Sequence, residues 1–221
     1  MPQNVVITGA NRGIGLSFCE HYKGLGFNVV GVCRTSNPNL EKIADNVIEG
    51  IDIGKKGSCE ILFNELADVK VDVLINNAGI LSSETLGQID FEAISNQFQV
   101  NAIGALRVTE GLSANLTSNS KVAIITSRMG SIEDNDSGGY YGYRMSKAAL
   151  NAGAKSLAID LKNKSVAVGI FHPGYVTTDM TSGGGDISPD QSATRLASLI
   201  KNLNMSNTGT FWHSNGEILP W

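Results

Sequence analysis

The 221-residue sequence predicts a single α/β domain with a doubly wound, mostly parallel sheet and helices on both faces. Three observations predict it. Short β-branched runs alternate with longer amphipathic segments along the chain. Several runs are nearly unbroken in Val and Ile, as expected of strands buried on both faces of a parallel sheet. A glycine-rich turn joins the first run directly to the first amphipathic segment.

In chain order, Asn4–Thr8 (NVVIT) reads as a strand, Ile14–Lys23 as a helix and Asn28–Cys33 (NVVGVC) as a strand. Asn46–Glu49 is a weaker strand, followed by a helix over Cys59–Ala67 and a strand over Val71–Asn76 (VDVLIN). A long helix is expected over Phe91–Leu112, then a strand over Lys121–Thr126 (KVAIIT) and a helix over Tyr143–Leu161. Val166–His172 (VAVGIFH) is the next strand, and Thr208–Trp212 a weaker last one. The helix Pro189–Lys201 has a clear start: Ser188 can cap it, Pro189 suits the first helical position, and Gln191 can close a capping box. Thr181–Ile187 (TSGGGDI) reads as a mobile loop because of its three glycines. No composition shift marks a second domain, so residues 1–221 are expected to fold as one.

Seventeen Lys and Arg against 21 Asp and Glu leave a net charge of −4, which argues against nucleic acid or an anionic membrane as the main partner. No apolar run approaches the ~18–20 residues that span a bilayer. The start, MPQNVVITGA, lacks the basic and apolar regions of a secretory signal. Cys19, Cys33 and Cys59 are odd in number and far apart, the pattern of reduced thiols in a cytoplasmic protein. His21, His172 and His213 have no metal-ligand spacing, so no metal site is expected.

The turn Thr8-Gly9-Ala10-Asn11-Arg12-Gly13-Ile14-Gly15 follows the first strand and opens the first helix. Gly9 allows the sharp turn, Gly13 lets backbone approach a pyrophosphate, and Gly15 permits close helix–strand packing; the helix N-terminus then faces the anion. That is the fingerprint of a Rossmann-type dinucleotide site. About twenty residues on, an NAD-preferring site carries Asp or Glu for the ribose 2′-hydroxyl. Here Cys33-Arg34-Thr35 stands instead. Arg34, with Arg12 approaching from the glycine turn, can pair with a 2′-phosphate, which favours NADPH (NADP).

Tyr143 and Lys147 stand at i and i+4, on one face of a helix. Tyr140 and Tyr141 have Arg144 and Met145 at that spacing, so only Tyr143 is matched with a lysine. The strand Lys121–Thr126 delivers Ser127 to the carboxyl edge of the sheet, where open α/β folds bind ligands. With these residues in place the chain resembles the short-chain dehydrogenase/reductase family. The resemblance rests on Thr8–Gly15, Asn76-Asn77-Ala78-Gly79, Asn101, Ser127, Tyr143 with Lys147, and His172-Pro173-Gly174-Tyr175-Val176-Thr177-Thr178, in order, and runs to at least Met180. The ending, Gly209-Thr210-Phe211-Trp212 through Leu219-Pro220-Trp221, is similar to the small C-factor branch, which includes sniffer-type carbonyl reductases.

The resemblance implies roles. Tyr143 would be the general acid that protonates the carbonyl oxygen, with Lys147 lowering its pKa and holding the nicotinamide ribose. Ser127 would hydrogen-bond the carbonyl, and Asn101 would sit at a local helix kink and hold a water in a relay to Lys147. Gly9, Asn11, Arg12, Gly13, Ile14, Gly15 and Arg34 would contact the cofactor. So would Asp52 and Ile53 at the adenine, Asn77, Ala78 and Gly79 beyond the fourth strand, and Pro173, Gly174, Val176 and Thr178 after the sixth. His172 reads as a strand-end residue rather than a catalyst.

The expected function is NADPH-dependent reduction of aldehydes, ketones or quinones, with a small-molecule carbonyl substrate. The alternative is a nucleotide-binding signalling or scaffold protein of C-factor type with little turnover. Such a protein would be expected to lose Tyr143, Lys147 or Ser127, and none is lost. Tyr143 lies 16 residues after Ser127, farther than in many members of the family. The extra length falls in Ile132–Gly139, which either borders the substrate mouth or is simply solvated. The short stretch from Asp179 to Ser188 predicts a small lid, an open site and broad substrate tolerance. By analogy with the family, helices such as Phe91–Leu112 and Tyr143–Leu161 would form the interface of a homodimer or homotetramer.

Overall fold

The computed structural model describes residues 2–221. Seven strands form one sheet in the order β3-β2-β1-β4-β5-β6-β7: β1 Asn4–Thr8, β2 Asn28–Val32, β3 Asn46–Ile48, β4 Val71–Asn76, β5 Leu116–Ile125, β6 Ala167–His172 and β7 Phe211–His213. Every neighbouring pair is parallel. The order reverses between β1 and β4, the topological switch point at which such sheets bind ligands.

Helices α1 (Gly13–Gly24), α2 (Pro38–Ile43) and α7 (Pro189–Asn202) cover one face. The other face carries α3 (Glu60–Glu65), α4 (Phe91–Gln97), α5 (Ala105–Gly111) and α6 (Tyr141–Asp160). Alternate strand residues therefore serve separate cores. Val5 and Ile7 pack with Phe18, Leu40 and Leu196, while Val6 packs with Leu74, Val108 and Leu150. Because both faces are covered, the strands can be apolar throughout, and each fully buried Leu, Ile or Phe contributes about 1.5–3 kcal/mol.

The long helix Phe91–Leu112 is interrupted by a π-helical turn over Phe98–Gly104, which joins α4 to α5 and holds Asn101 where a kink was expected. Three local features differ from the sequence expectation. The short helix α2 emerges where no helix was expected: Asn37 caps it, accepting from the Asn39 and Leu40 amides at 3.1 and 3.0 Å, with Pro38 in the first turn. Strand β5 starts at Leu116 rather than Lys121, because the buried Ser120 hydroxyl donates to the Val71 carbonyl at 2.7 Å and lets a polar stretch stay in the sheet. The glycine-rich segment 181–187 folds back rather than hanging free. Thr177 N–H donates to Ile187 O at 3.0 Å and Asp186 N–H to Tyr175 O at 2.8 Å. Capping of α7 by Ser188 and Gln191 is as expected, with both reciprocal bonds present.

Candidate active site

At the switch point a cleft of about 640 Å³ opens along the carboxyl edge of the sheet. Its floor is the turn between β1 and α1. Gly9 and Gly13 take φ of +66° and +52°, conformations that favour glycine. A Cβ on Gly9 would lie 2.9 Å from the Ala78 Cα, and one on Gly15 only 2.1 Å from the Gly9 carbonyl oxygen. Gly15 thus works behind the cleft, letting α1 close against its own turn.

Thr8, which sequence reasoning did not single out, fastens this turn to β4. Its hydroxyl accepts from the Asn77 and Ala78 amides, both at 3.1 Å, and the Asn77 side chain donates to the Thr8 and Gly9 carbonyls at 3.0 and 3.3 Å. On the other side the Asn11 side chain donates to Thr35 O at 2.9 Å, and Asn37 donates to Asn11 O at 2.6 Å. The pairing of Asn37 with Pro38 was a readable cap signal; the tie to Asn11 was not, because it joins residues far apart in sequence.

The structure brings Gly9, Asn11, Arg12, Gly13, Ile14, Arg34, Asp52, Ile53, Asn77, Ala78, Gly79, Tyr143, Lys147, Pro173 and Thr178 together around the cleft. Gly15, Gly174 and Val176 are not among its lining residues, and neither are Asn101 and Ser127. Val176 is buried beneath the fold-back, its carbonyl accepting from the Thr181 hydroxyl at 2.8 Å. Ile125, Thr126, Met180 and Pro189 line the cleft without having been expected to.

The cleft suits a phosphate-bearing dinucleotide. No side chain caps the amino end of α1, so its first N–H groups and positive dipole end are left for an anion. Arg34 is exposed and has no ion pair among the described residues. Acids are nearer than the sequence suggested: Arg12 pairs with Asp179 at 3.4 Å, and Glu49 accepts from the Ser36 amide at 3.2 Å. Asp52 accepts from its own turn at Gly54 N, 3.0 Å away.

The side chains expected to carry the chemistry lie deeper. Tyr143 and Lys147 are both buried on α6, with the Lys147 ammonium 5.7 Å from the Tyr143 ring centre and donating to Ile125 O at 3.0 Å. Burial pushes the Tyr143 phenol up to about 12, opposed by the nearby Ser127 hydroxyl, which lowers it. Burial alone pulls Lys147 down to about 8. Desolvation therefore outweighs the lowering of the Tyr143 pKa expected from its lysine neighbour. Ser127 lies two residues beyond β5 and accepts from the Met129 amide at 3.1 Å. Asn101 is also buried, and its side chain is committed: it accepts from Ile80 N at 2.8 Å and donates to Ile80 O at 2.9 Å and to Ser146 Oγ at 3.0 Å.

His172 closes β6, buried and T-shaped against His213 at 4.9 Å. Burial and that second imidazole pull its pKa down to about 3, so it stays neutral. The 132–139 segment is mostly solvated, but an ion pair between Arg128 Nε and Asp134 at 2.6 Å ties it to the turn after Ser127. Among the described residues there is no cluster of three His, Cys, Asp or Glu side chains fit for a metal ion, and no helix long and apolar enough to cross a membrane.

A parallel sheet with a glycine-rich turn at its switch point, and a buried Ser–Tyr–Lys group across the cleft, defines a nucleotide-dependent oxidoreductase architecture. Comparison with known proteins gives the family. The short chain dehydrogenase model matches residues 3–186, and the chain belongs to that family. It is 36% identical over 223 residues to the 1-hydroxy-2-glutathionyl-2-methyl-3-butene dehydrogenase of Rhodococcus sp. (strain AD45), covering 98% of this chain and 99% of that one. To the C-signal of Myxococcus xanthus it is 40% identical over 154 residues, 68% of this chain and 93% of that one. The NADPH-bound carbonyl reductase from chicken fatty liver superposes with a TM-score of 0.87 at 25% identity, covering 100% of this chain and 99% of that one.

Proposed function

We infer that the protein is an NADPH-dependent reductase of small carbonyl compounds. The observation that carries the reading is the pair of buried side chains Tyr143 and Lys147 at the inner end of a cleft, with Ser127 buried behind its lining, whose outer end presents Arg34 and the uncapped start of α1. The NADPH held by a carbonyl reductase of the same fold supports it. Bound NADPH would supply the hydride. Gly9, Asn11, Gly13 and Ile14 would hold its pyrophosphate, Arg34 its 2′-phosphate, Asp52 and Ile53 its adenine end, and Asn77, Ala78, Gly79, Pro173 and Thr178 the path to the nicotinamide.

Tyr143 is protonated across the neutral range and can give its proton to the carbonyl oxygen. Ser127, buried beside that phenol and acting to lower its pKa, would donate to the same oxygen as negative charge develops. Lys147 in its charged form stabilises the phenolate left behind. Asn101 and Lys147 both border Gly79: a Cβ there would lie 3.3 Å from Asn101 Oδ1 and 3.6 Å from Lys147 Nζ. Their juxtaposition supports a proton path that Asn101 orders and Lys147 feeds.

The test is a panel of aldehydes, ketones and quinones followed by loss of NADPH absorbance, with alcohols and NADP⁺ run in the opposite direction. The second arm is included because one relative is named for a glutathionyl alcohol. Turnover of several small carbonyls is expected. Absence of turnover in both directions would overturn the reading.

A further inference from the structure

The catalytic helix α6 begins without a cap of its own. Its N-cap position is Tyr140, which takes a left-handed conformation (φ 50°, ψ 40°) and makes no side-chain bond to the first turn. A usual cap has extended backbone and accepts from the second or third amide of the helix. Here the partner comes from a distant loop. Glu84, 98% buried by its 2% exposure, accepts from the Gly142 amide through Oε2 at 3.0 Å, and its carbonyl accepts from the Tyr140 amide at 2.9 Å.

The other carboxylate oxygen is also engaged. Oε1 accepts from the Ser82 hydroxyl at 2.6 Å and from the Gln97 side-chain amide at 2.9 Å. Gln97 in turn accepts from Ser82 N at 3.1 Å, and it is buried at the end of α4. No Lys or Arg forms an ion pair with Glu84 among the described residues. Its charge is met by N–H and O–H donors and by the positive end of a 20-residue helix.

The attachment points fall beside the reacting groups. Glu84 holds Gly142, the residue before Tyr143, and Asn101 holds Ser146, the residue before Lys147. There is no slack at the first point: a Cβ on Gly142 would lie 2.4 Å from Gln97 Nε2 and 3.0 Å from the Ile94 Cα. We propose that Glu84 is a positioning residue: with Gln97 and Ser82 it forms a polar clamp that fixes the amino turn of α6 and so the reach of the Tyr143 hydroxyl. The clamp belongs to the loop after Gly79, so it also couples the cofactor wall to the proton donor.

Because both Glu84 oxygens accept, glutamine is a poor replacement: its NH2 must face either the Gln97 amide or the Gly142 N–H, donor against donor in both cases. The exchange Glu84→Gln with Gln97→Glu restores a donor–acceptor match. The proposal rests on the reductase reading for its kinetic arm only. In Glu84→Gln, kcat for a carbonyl substrate should fall about tenfold or more, as small misplacements of a reacting group do, while KM for NADPH stays at the wild-type value. Amide hydrogen exchange over Gly142–Ser146 should quicken with β4 and α7 unchanged. The double exchange should recover most of both. Wild-type kcat and exchange in Glu84→Gln would overturn the proposal. So would a loss that spreads to β4 and α7, or one that the double exchange leaves uncorrected. If the wild-type protein reduces nothing, the reductase reading fails on that result, and the exchange arm still decides the clamp.

Discussion

The two ends of the cleft are built on different principles. At the end proposed for the cofactor the cleft is made mostly of backbone: positive-φ glycines, the open start of α1, and the Thr8 and Asn77 ties between turn and strand. The charged groups there, Arg12 and Arg34, are exposed. At the end proposed for catalysis the groups are buried side chains, several fixed by hydrogen bonds to residues far away in sequence: Lys147 to Ile125, Asn101 to Ile80 and Ser146, Glu84 to Gly142. An exposed, backbone-made end keeps its fold when charges change and fails on added volume. A buried, side-chain-made end fails on small changes of charge or hydrogen bonding.

That contrast can be broken at each end. The largest effect is expected from Gly15→Ala. The new Cβ would sit 2.1 Å from the Gly9 carbonyl, on backbone that cannot move without opening the turn. Loss of about 3 kcal/mol or more in denaturant unfolding is expected, together with loss of NADPH binding; a stable variant that binds normally would show that the turn is not backbone-limited.

Next comes Lys147→Met, read through pH. The folded pKa of Lys147, about 8, lies below its ordinary 10.5, so the folded state binds fewer protons between those values. Wild-type stability should therefore rise with pH across that window and lose this contribution as pH falls toward 8. Relative to Lys147→Met, wild type should gain about 2 kcal/mol between about pH 7.5 and about pH 9.5. Parallel curves for the two proteins would mean that the ammonium is not desolvated.

A smaller effect is expected from Arg12→Ala with Arg34→Ala. Removing the partners of a 2′-phosphate should weaken NADPH about 10- to 100-fold and leave NADH nearly unchanged, measured by fluorescence titration. Equal losses for both would remove these arginines from cofactor choice. The smallest is Asn37→Ala, which deletes a cap and should cost about 1 kcal/mol. Thermal unfolding would read it, and no change would mean that Pro38 alone starts α2.

The contrast also explains what was legible in the residues. Four strands, the glycine turn and the Tyr143–Lys147 face follow from local spacing, and the structure places them where the pattern puts them. The kink at Asn101 was readable too, because Asn is a poor helix former and Gly104 follows it. Helix α2 was missed because only its cap marks it. The start of β5 was missed because Ser120 and its neighbours are polar, and their place in the sheet depends on a bond to Val71. Glu84 and Gln97 left no local signal, since their meaning arises only when α4, the loop after β4 and α6 meet. The downward pull on the Tyr143 pKa expected from Lys147 gave way to burial, which a sequence does not display.

The most direct test of the account silences one end of the cleft and leaves the other intact. With Tyr143→Phe, carbonyl reduction should fall to background while NADPH is bound with an affinity near that of the wild-type protein. Retained turnover in Tyr143→Phe would contradict the assignment of the proton donor, and with it the account of this cleft as two separable ends.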